Sequence, residues 1–229
     1  MYFDITYLIY TLPAVILAIW AQAKVKSTFK KYSGVISSRR MTGAEAARRI
    51  LDANGLRNVK INRVAGSLTD HFDPRTNTVN LSSTVYDSPS VAAIGVAAHE
   101  SGHAVQHAVG YGPMKLRGAI IPITNIGSRL AVPLIIIGIL LSFVELAYIG
   151  CICFATAAVF QLVTLPVEFN ASSRALNAIE SSGILSSQEI TGARKVLSAA
   201  AMTYVAALAT ALLELLYWIS KVNGRSNRR

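Results

Sequence analysis

Apolar positions in this chain gather into long runs, and polar ones into a central block. From Ile5 to Ala23 nearly every residue is apolar, between Asp4 and Lys24. About 20 such residues are needed to cross the hydrocarbon core of a bilayer. A second apolar region, from about Leu130 to Leu165, is too long for one crossing and is interrupted by Glu145. It divides into Leu130–Phe143 and Leu146–Leu165, a helical hairpin with Glu145 near its turn. For the first arm to span, it must begin nearer Ala119, and Arg129 must then snorkel or face protein. A fourth run, Ala199 to Ile219, precedes Lys221, Arg225, Arg228 and Arg229. It is long enough to span; the alternative is a re-entrant or buried helix.

Between these runs the periodicity changes. "MTGAEAARRILDANGL" predicts a helix: Thr42 and Glu45 form a capping box, Ala46, Ala47, Ile50 and Leu51 one apolar stripe, and Gly55 the stop. "VKINRVAGSLTDHFDPRTNTVNLSSTVYD" predicts β structure, with Asp-Pro and Asn turn chemistry in "FDPRTNTV". A further helix is predicted after Ser88, with Pro89 at its first position, where a missing N–H costs nothing. The predicted organisation is an anchor over 1–23, a polar part over 24–118, a membrane hairpin over 119–165, a polar segment over 166–198 and a membrane helix with basic tail over 199–229.

Composition agrees with membrane insertion. The 229 residues are 52% hydrophobic and only 15% charged, against about 25% charged in soluble domains. The net charge of +10 has a ready source in the Lys and Arg excess of cytoplasmic segments. No basic stripe interleaved with aromatics points to nucleic acid. Lys24, Lys26, Lys30, Lys31, Arg39 and Arg40 follow the first run, so its C-terminal end is expected in the cytoplasm and the run is a retained anchor. A spanning fourth run would put the basic tail outside, against that tendency. Cys151 and Cys153 suit neither a disulfide framework nor a zinc ribbon and read as small apolar filler.

The helix predicted after Ser88 carries the chemistry. Three of the four histidines, His99, His103 and His107, fall within it. "HESGH" is an H-E-x-x-H pattern: on a helix, positions i and i+4 share a face, so His99 and His103 can offer imidazoles to one ion. Glu100 beside them can serve as general base toward a water made acidic by zinc. The competing reading is a chance match. Gly102 would let another element approach the helix closely. A catalytic zinc site needs a third protein ligand and an open position. Glu168 in "LPVEFNASSRAL", just after the apolar hairpin and Pro166, is the candidate; otherwise it is an ordinary interfacial glutamate.

"AAHESGHAVQH", the membrane hairpin, then "VEFNAS", with "LTDHFDP" upstream, resemble the bacterial YugP-type membrane zinc metallopeptidases over nearly the whole chain. More distantly the pattern is similar to HtpX-type and CAAX-prenyl proteases, which follow H-E-x-x-H with E-x-x-x-D. The resemblance implies one Zn2+ per chain and a site facing the cytoplasm of a bacterial cell. It implies His99, His103 and Glu168 as ligands and Glu100 as base. Where the wider group has aspartate, this chain has Ser172, a weaker acceptor for a histidine ring N–H.

Other residues keep two readings each. His71 is a catalytic residue making an oxyanion or substrate contact near the zinc, or a solvent-exposed turn histidine. His107 is a fourth ligand, which would close the site, or a hydrogen-bonding or interfacial residue. Tyr111 and Arg174 could stabilise an oxyanion, although Arg174, six positions after Glu168, would leave the ligand face of a straight helix. Asp70 and Asp73 read as turn residues. A strand around Val64–Leu68 could pair with an extended peptide. The fold class expected is a mainly α membrane protein, zincin-like, with a small β element and about four membrane helices. The function expected is a zinc endopeptidase acting on peptide or membrane-protein substrates, embedded in the lipid bilayer and without nucleic acid; the rival is a membrane scaffold with a structural zinc. Oligomeric state stays open.

Overall fold

The structure, a computed structural model, describes residues 5–226; Asp4, Arg228 and Arg229, which figure in the reading of the outer apolar runs, lie outside them. In order the elements are α1 (Ile5–Ser33), α2 (Gly43–Ala53), β1 (Lys60–Val64), β2 (His71–Asp73), β3 (Thr78–Ser82), α3 (Ser83–Tyr86), α4 (Val91–Ala108), α5 (Gly112–Leu140), α6 (Val144–Ser181) and α7 (Ser187–Ser226). The protein is mainly helical, with one small sheet. Four helices, α1, α5, α6 and α7, are long and apolar enough to cross a membrane. The described residues fall into two compact units. A membrane unit holds those up to Gln22, Leu116–Leu165 and those from Thr203 on; an α4 unit holds Ala23–Lys115 and Pro166–Met202.

In the membrane unit, the hairpin arms are longer than the hydropathy runs. The first arm starts at Gly112 rather than near Ala119 or Leu130, and the turn comes earlier, at 141–143, which puts Glu145 in the first turn of α6. Ser142 takes a positive φ of 57°, and the Phe143 N–H donates to the Gly138 carbonyl. Pro122 and Pro133 lie inside α5 without ending it, as neighbouring groups in membrane bundles permit. The arms cross on small residues: a Cβ added at Gly150 of α6 would stand 2.7 Å from the Ile135 backbone nitrogen. Cys151 packs there among Ile135, Ala147 and Val222, and both cysteines are free thiols.

In the α4 unit, α2 forms with its capping box intact: the Glu45 N–H donates to Thr42 Oγ1 (3.2 Å) and the Thr42 N–H to Glu45 Oε2 (2.8 Å). The sheet order is β1-β3-β2, with β1 parallel and β2 antiparallel to β3. The β2–β3 connection is the expected turn, where Asp73 Oδ1 accepts from the Arg75 N–H and Asn77 takes a φ of 52°. The strand expected around Val64–Leu68 is instead Lys60–Val64, because the left-handed backbone at Gly66 and Leu68 ends the extended run. α4 starts two residues later than predicted. Ser90, not Ser88, caps it, its Oγ accepting from the Ala93 N–H, while Pro89 stays outside and offers its carbonyl to the Ser37 N–H.

α4 is buried on almost all sides. Val91, Ile94 and Ala98 pack with Ile50, Ile179, Ile184 and Leu197; Ala93, Ala97 and Ala104 pack with Leu51, Val79, Leu81 and Val85. A helix apolar all round belongs in a core, so its few polar side chains need partners. α6 does not end at Pro166, as an exit from the membrane would suggest, but continues through it. Glu168 is therefore held on a continuous helix.

Candidate active site

Small residues bring α4 and α6 together. A Cβ added at Gly102 would stand 2.7 Å from the Ala171 carbonyl oxygen. Gly102 therefore permits the close approach, and it does so between the two histidines and the segment carrying Glu168. His99 and His103, one turn apart, set their rings edge to face with centroids 4.7 Å apart. Glu168 Oε2 lies 3.3 Å from His99 Nε2 and 3.5 Å from His103 Nε2. One ligand-capable atom from each of the three residues lies within 4.8 Å of the others. Glu168 is only 2% exposed.

The other face of each imidazole is occupied. His99 Nδ1 lies 3.1 Å from Ser172 Oγ, and His103 Nδ1 lies 3.0 Å from Gln106 Oε1. Both Nε2 atoms are thus directed at one carboxylate oxygen. Two imidazole nitrogens and a carboxylate, each ring held from behind, form a donor set that suits zinc. Burial works against a charged imidazole at His103. The Glu168 hydrogen bond and the charges of Glu100 and Glu168 outweigh it and hold the ring's pKa above its ordinary 6.5.

Glu100 is buried beside the histidines. Among the described residues its carboxylate enters no hydrogen bond or ion pair, so its oxygens are unspent. His107 packs at a tilt against Phe72, ring centroids 5.7 Å apart, and lies outside the three-residue cluster. His71, exposed at the start of β2, has Nδ1 2.9 Å from the Thr69 carbonyl and Nε2 3.2 Å from Asn80 Nδ2, and it too lies outside the cluster. Asp70 joins β2 to the end of β3 by accepting from the Ser82 N–H and Oγ. The Tyr111 N–H donates to the Gln106 carbonyl at the end of α4. Arg174 donates from Nε to Asn170 Oδ1; it is not among the clustered groups.

Two residues of this site were not picked out from the sequence. Gln106 is fully buried and donates from Nε2 to the Val167 carbonyl (2.8 Å) and Asn170 Oδ1 (2.9 Å). The signal was available: an amide three residues after His103, on an otherwise apolar helix face, needs partners. Asn170, two residues after Glu168, carried no such signal, because its partners come from another helix and from its own next turn.

Residues 7–223 match a family described as "putative neutral zinc metallopeptidase". The chain is 52% identical over 216 residues to the "putative membrane protease YugP" of Bacillus subtilis (strain 168), covering 94% of this chain and 96% of that protein. No solved structure matches it. A match across almost the whole length, on a chain with four membrane-capable helices and a histidine–carboxylate cluster on an H-E-x-x-H helix, shows that it belongs to this neutral zinc metallopeptidase family of membrane proteins.

Proposed function

We propose that the protein is a membrane-embedded zinc endopeptidase in which His99, His103 and Glu168 hold the metal and Glu100 is the general base. The observation that carries this reading is the convergence of two Nε2 atoms on the Glu168 carboxylate, with the unspent Glu100 carboxylate beside them. When bound, zinc supplies Lewis acidity toward a peptide carbonyl and toward water. Glu100 takes the proton of the attacking water and delivers it to the leaving amine. Ser172 and Gln106 hold the two rings. No proton-transfer step is assigned to His71.

A structural zinc would call for a fourth protein ligand, and His107 and His71 are the two remaining histidines. The contact of His107 with Phe72 and the two bonded ring nitrogens of His71 favour an open position instead. Substrates are membrane proteins or misfolded chains, since Glu168 follows the apolar run of α6 in one helix. The basic residues after the first span support a cytoplasmic site in the bacterial plasma membrane. The test compares wild type with Glu100→Gln, both reconstituted in lipid and zinc-loaded, on an unfolded polypeptide reporter. Cleavage by wild type alone supports the proposal. Equal cleavage by both would remove Glu100 from the mechanism.

A further inference from the structure

Hydrogen-bond direction can be traced through the groups behind His103. Arg174 Nε can only donate, and it donates to Asn170 Oδ1 (2.8 Å). That fixes which end of the Asn170 amide faces inward: the oxygen. The Gln106 amide nitrogen also points at this oxygen (2.9 Å) and at the Val167 carbonyl (2.8 Å). Both are acceptors, so the orientation of the Gln106 amide is fixed as well. Its oxygen is left facing His103 Nδ1 at 3.0 Å, and that nitrogen must carry the hydrogen. In the neutral ring the lone pair then sits on Nε2, the nitrogen that faces Glu168, and in the protonated ring that nitrogen donates to the carboxylate.

We propose that Gln106, Asn170 and Arg174 are positioning residues that fix the tautomer of His103 and so prepare its Nε2 to bind metal. The inference rests on the ligand reading above. The same Gln106 amide bonds the carbonyl of Val167, the residue before Glu168. One side chain therefore sets both a histidine on α4 and the backbone next to the carboxylate on α6. The support behind His99 differs: the Ser172 hydroxyl can donate or accept, so it holds the ring without dictating the tautomer.

The experiment measures zinc affinity of the full-length protein in lipid by chelator competition. It is joined by the visible spectrum of the cobalt-substituted protein and the unfolding midpoint of the metal-free form. Gln106→Leu should weaken zinc binding by about 10–100-fold, the range for loss of a ligand's hydrogen-bonding partner, and alter the cobalt spectrum. Asn170 is less buried and guards against a folding failure. Asn170→Asp keeps acceptor oxygens for both Arg174 and Gln106 and should bind like wild type. Asn170→Leu should bind severalfold more weakly, with the metal-free midpoint unchanged. Arg174→Met should fall between them. Wild-type affinity in Gln106→Leu, or equal losses in Asn170→Asp and Asn170→Leu, would overturn the proposal. His103→Ala tests the reading beneath it: if that variant keeps wild-type affinity, the ligand assignment itself fails.

Discussion

Exposed apolar side chains have opposite meanings in the two units. In the membrane unit Ile152 of α6 is 69% exposed and Leu140 of α5 is 73% exposed. Hydrocarbon is their solvent, so the protein need not cover them. In the α4 unit the helix with the most apolar sequence is the one most completely covered, with Ile94 at 0% exposure. Two runs of similar composition thus solve different problems. One faces lipid and packs on its neighbours along narrow seams, where Gly138 and Gly150 let the hairpin arms close together. The other is enclosed on almost every side and holds His99, His103 and Glu100 against Glu168 of α6, largely away from bulk water.

The sharpest way to break this comparison is to place a charge at two similarly exposed apolar positions. Ile152→Arg should impair insertion by about 2.5–3.5 kcal/mol if the residue lies near the bilayer centre. Val109→Arg, at a residue 61% exposed in the α4 unit, should stay within about 0.5 kcal/mol. Membrane-integrated yield and unfolding in lipid would read both. Equal effects would contradict the division.

Glycine gives the next contrast. Gly102→Ala puts a methyl against the Ala171 carbonyl, which should cost about 1–3 kcal/mol in overpacking and weaken zinc binding. Gly118 has nothing within 4 Å of an added Cβ, so Gly118→Ala should leave zinc binding unchanged. Thermal unfolding and chelator competition would separate the two.

pH acts on the α4 unit through His103. Its raised pKa means that, without metal, the proton stabilises the fold below about pH 6.5. That contribution is lost as pH climbs through the folded-state value. Zinc must displace the proton, so its affinity should rise by about tenfold per pH unit while His103 is protonated, then level off. A titration of zinc affinity from pH 5 to 9 checks this, and a flat profile would contradict it. The smallest effect should come from Ser172→Ala, which removes one hydrogen bond to His99 worth about 1 kcal/mol. Zinc affinity would read it, with a loss below that of Gln106→Leu.

Much of the site could be read from local pattern. H-E-x-x-H states its own geometry once it lies on a helix, and Thr42 with Glu45 stated theirs. Glu168 was legible because a carboxylate just after an apolar run is conspicuous. Boundaries were harder to read. Hydropathy marks where lipid contact ends, not where backbone hydrogen bonding ends, so α5 began earlier and α6 ran on through Pro166. The parallel pairing of β1 with β3 passes over β2 and has no local signature. The bonds joining Gln106 and Asn170 cross between helices in the same way. Glu214, in the last apolar run, went unremarked in the sequence; it lines a cavity of about 360 Å³ with Gln22, Thr203 and Thr210.

The most direct test of the central claim is zinc stoichiometry, measured by elemental analysis on wild type and on His99→Ala, His103→Ala and Glu168→Ala purified in lipid under zinc-replete conditions. The account predicts about one zinc per wild-type chain and a substoichiometric content in each variant that still inserts and folds. Stoichiometric zinc persisting in all three variants would put the metal elsewhere and contradict it.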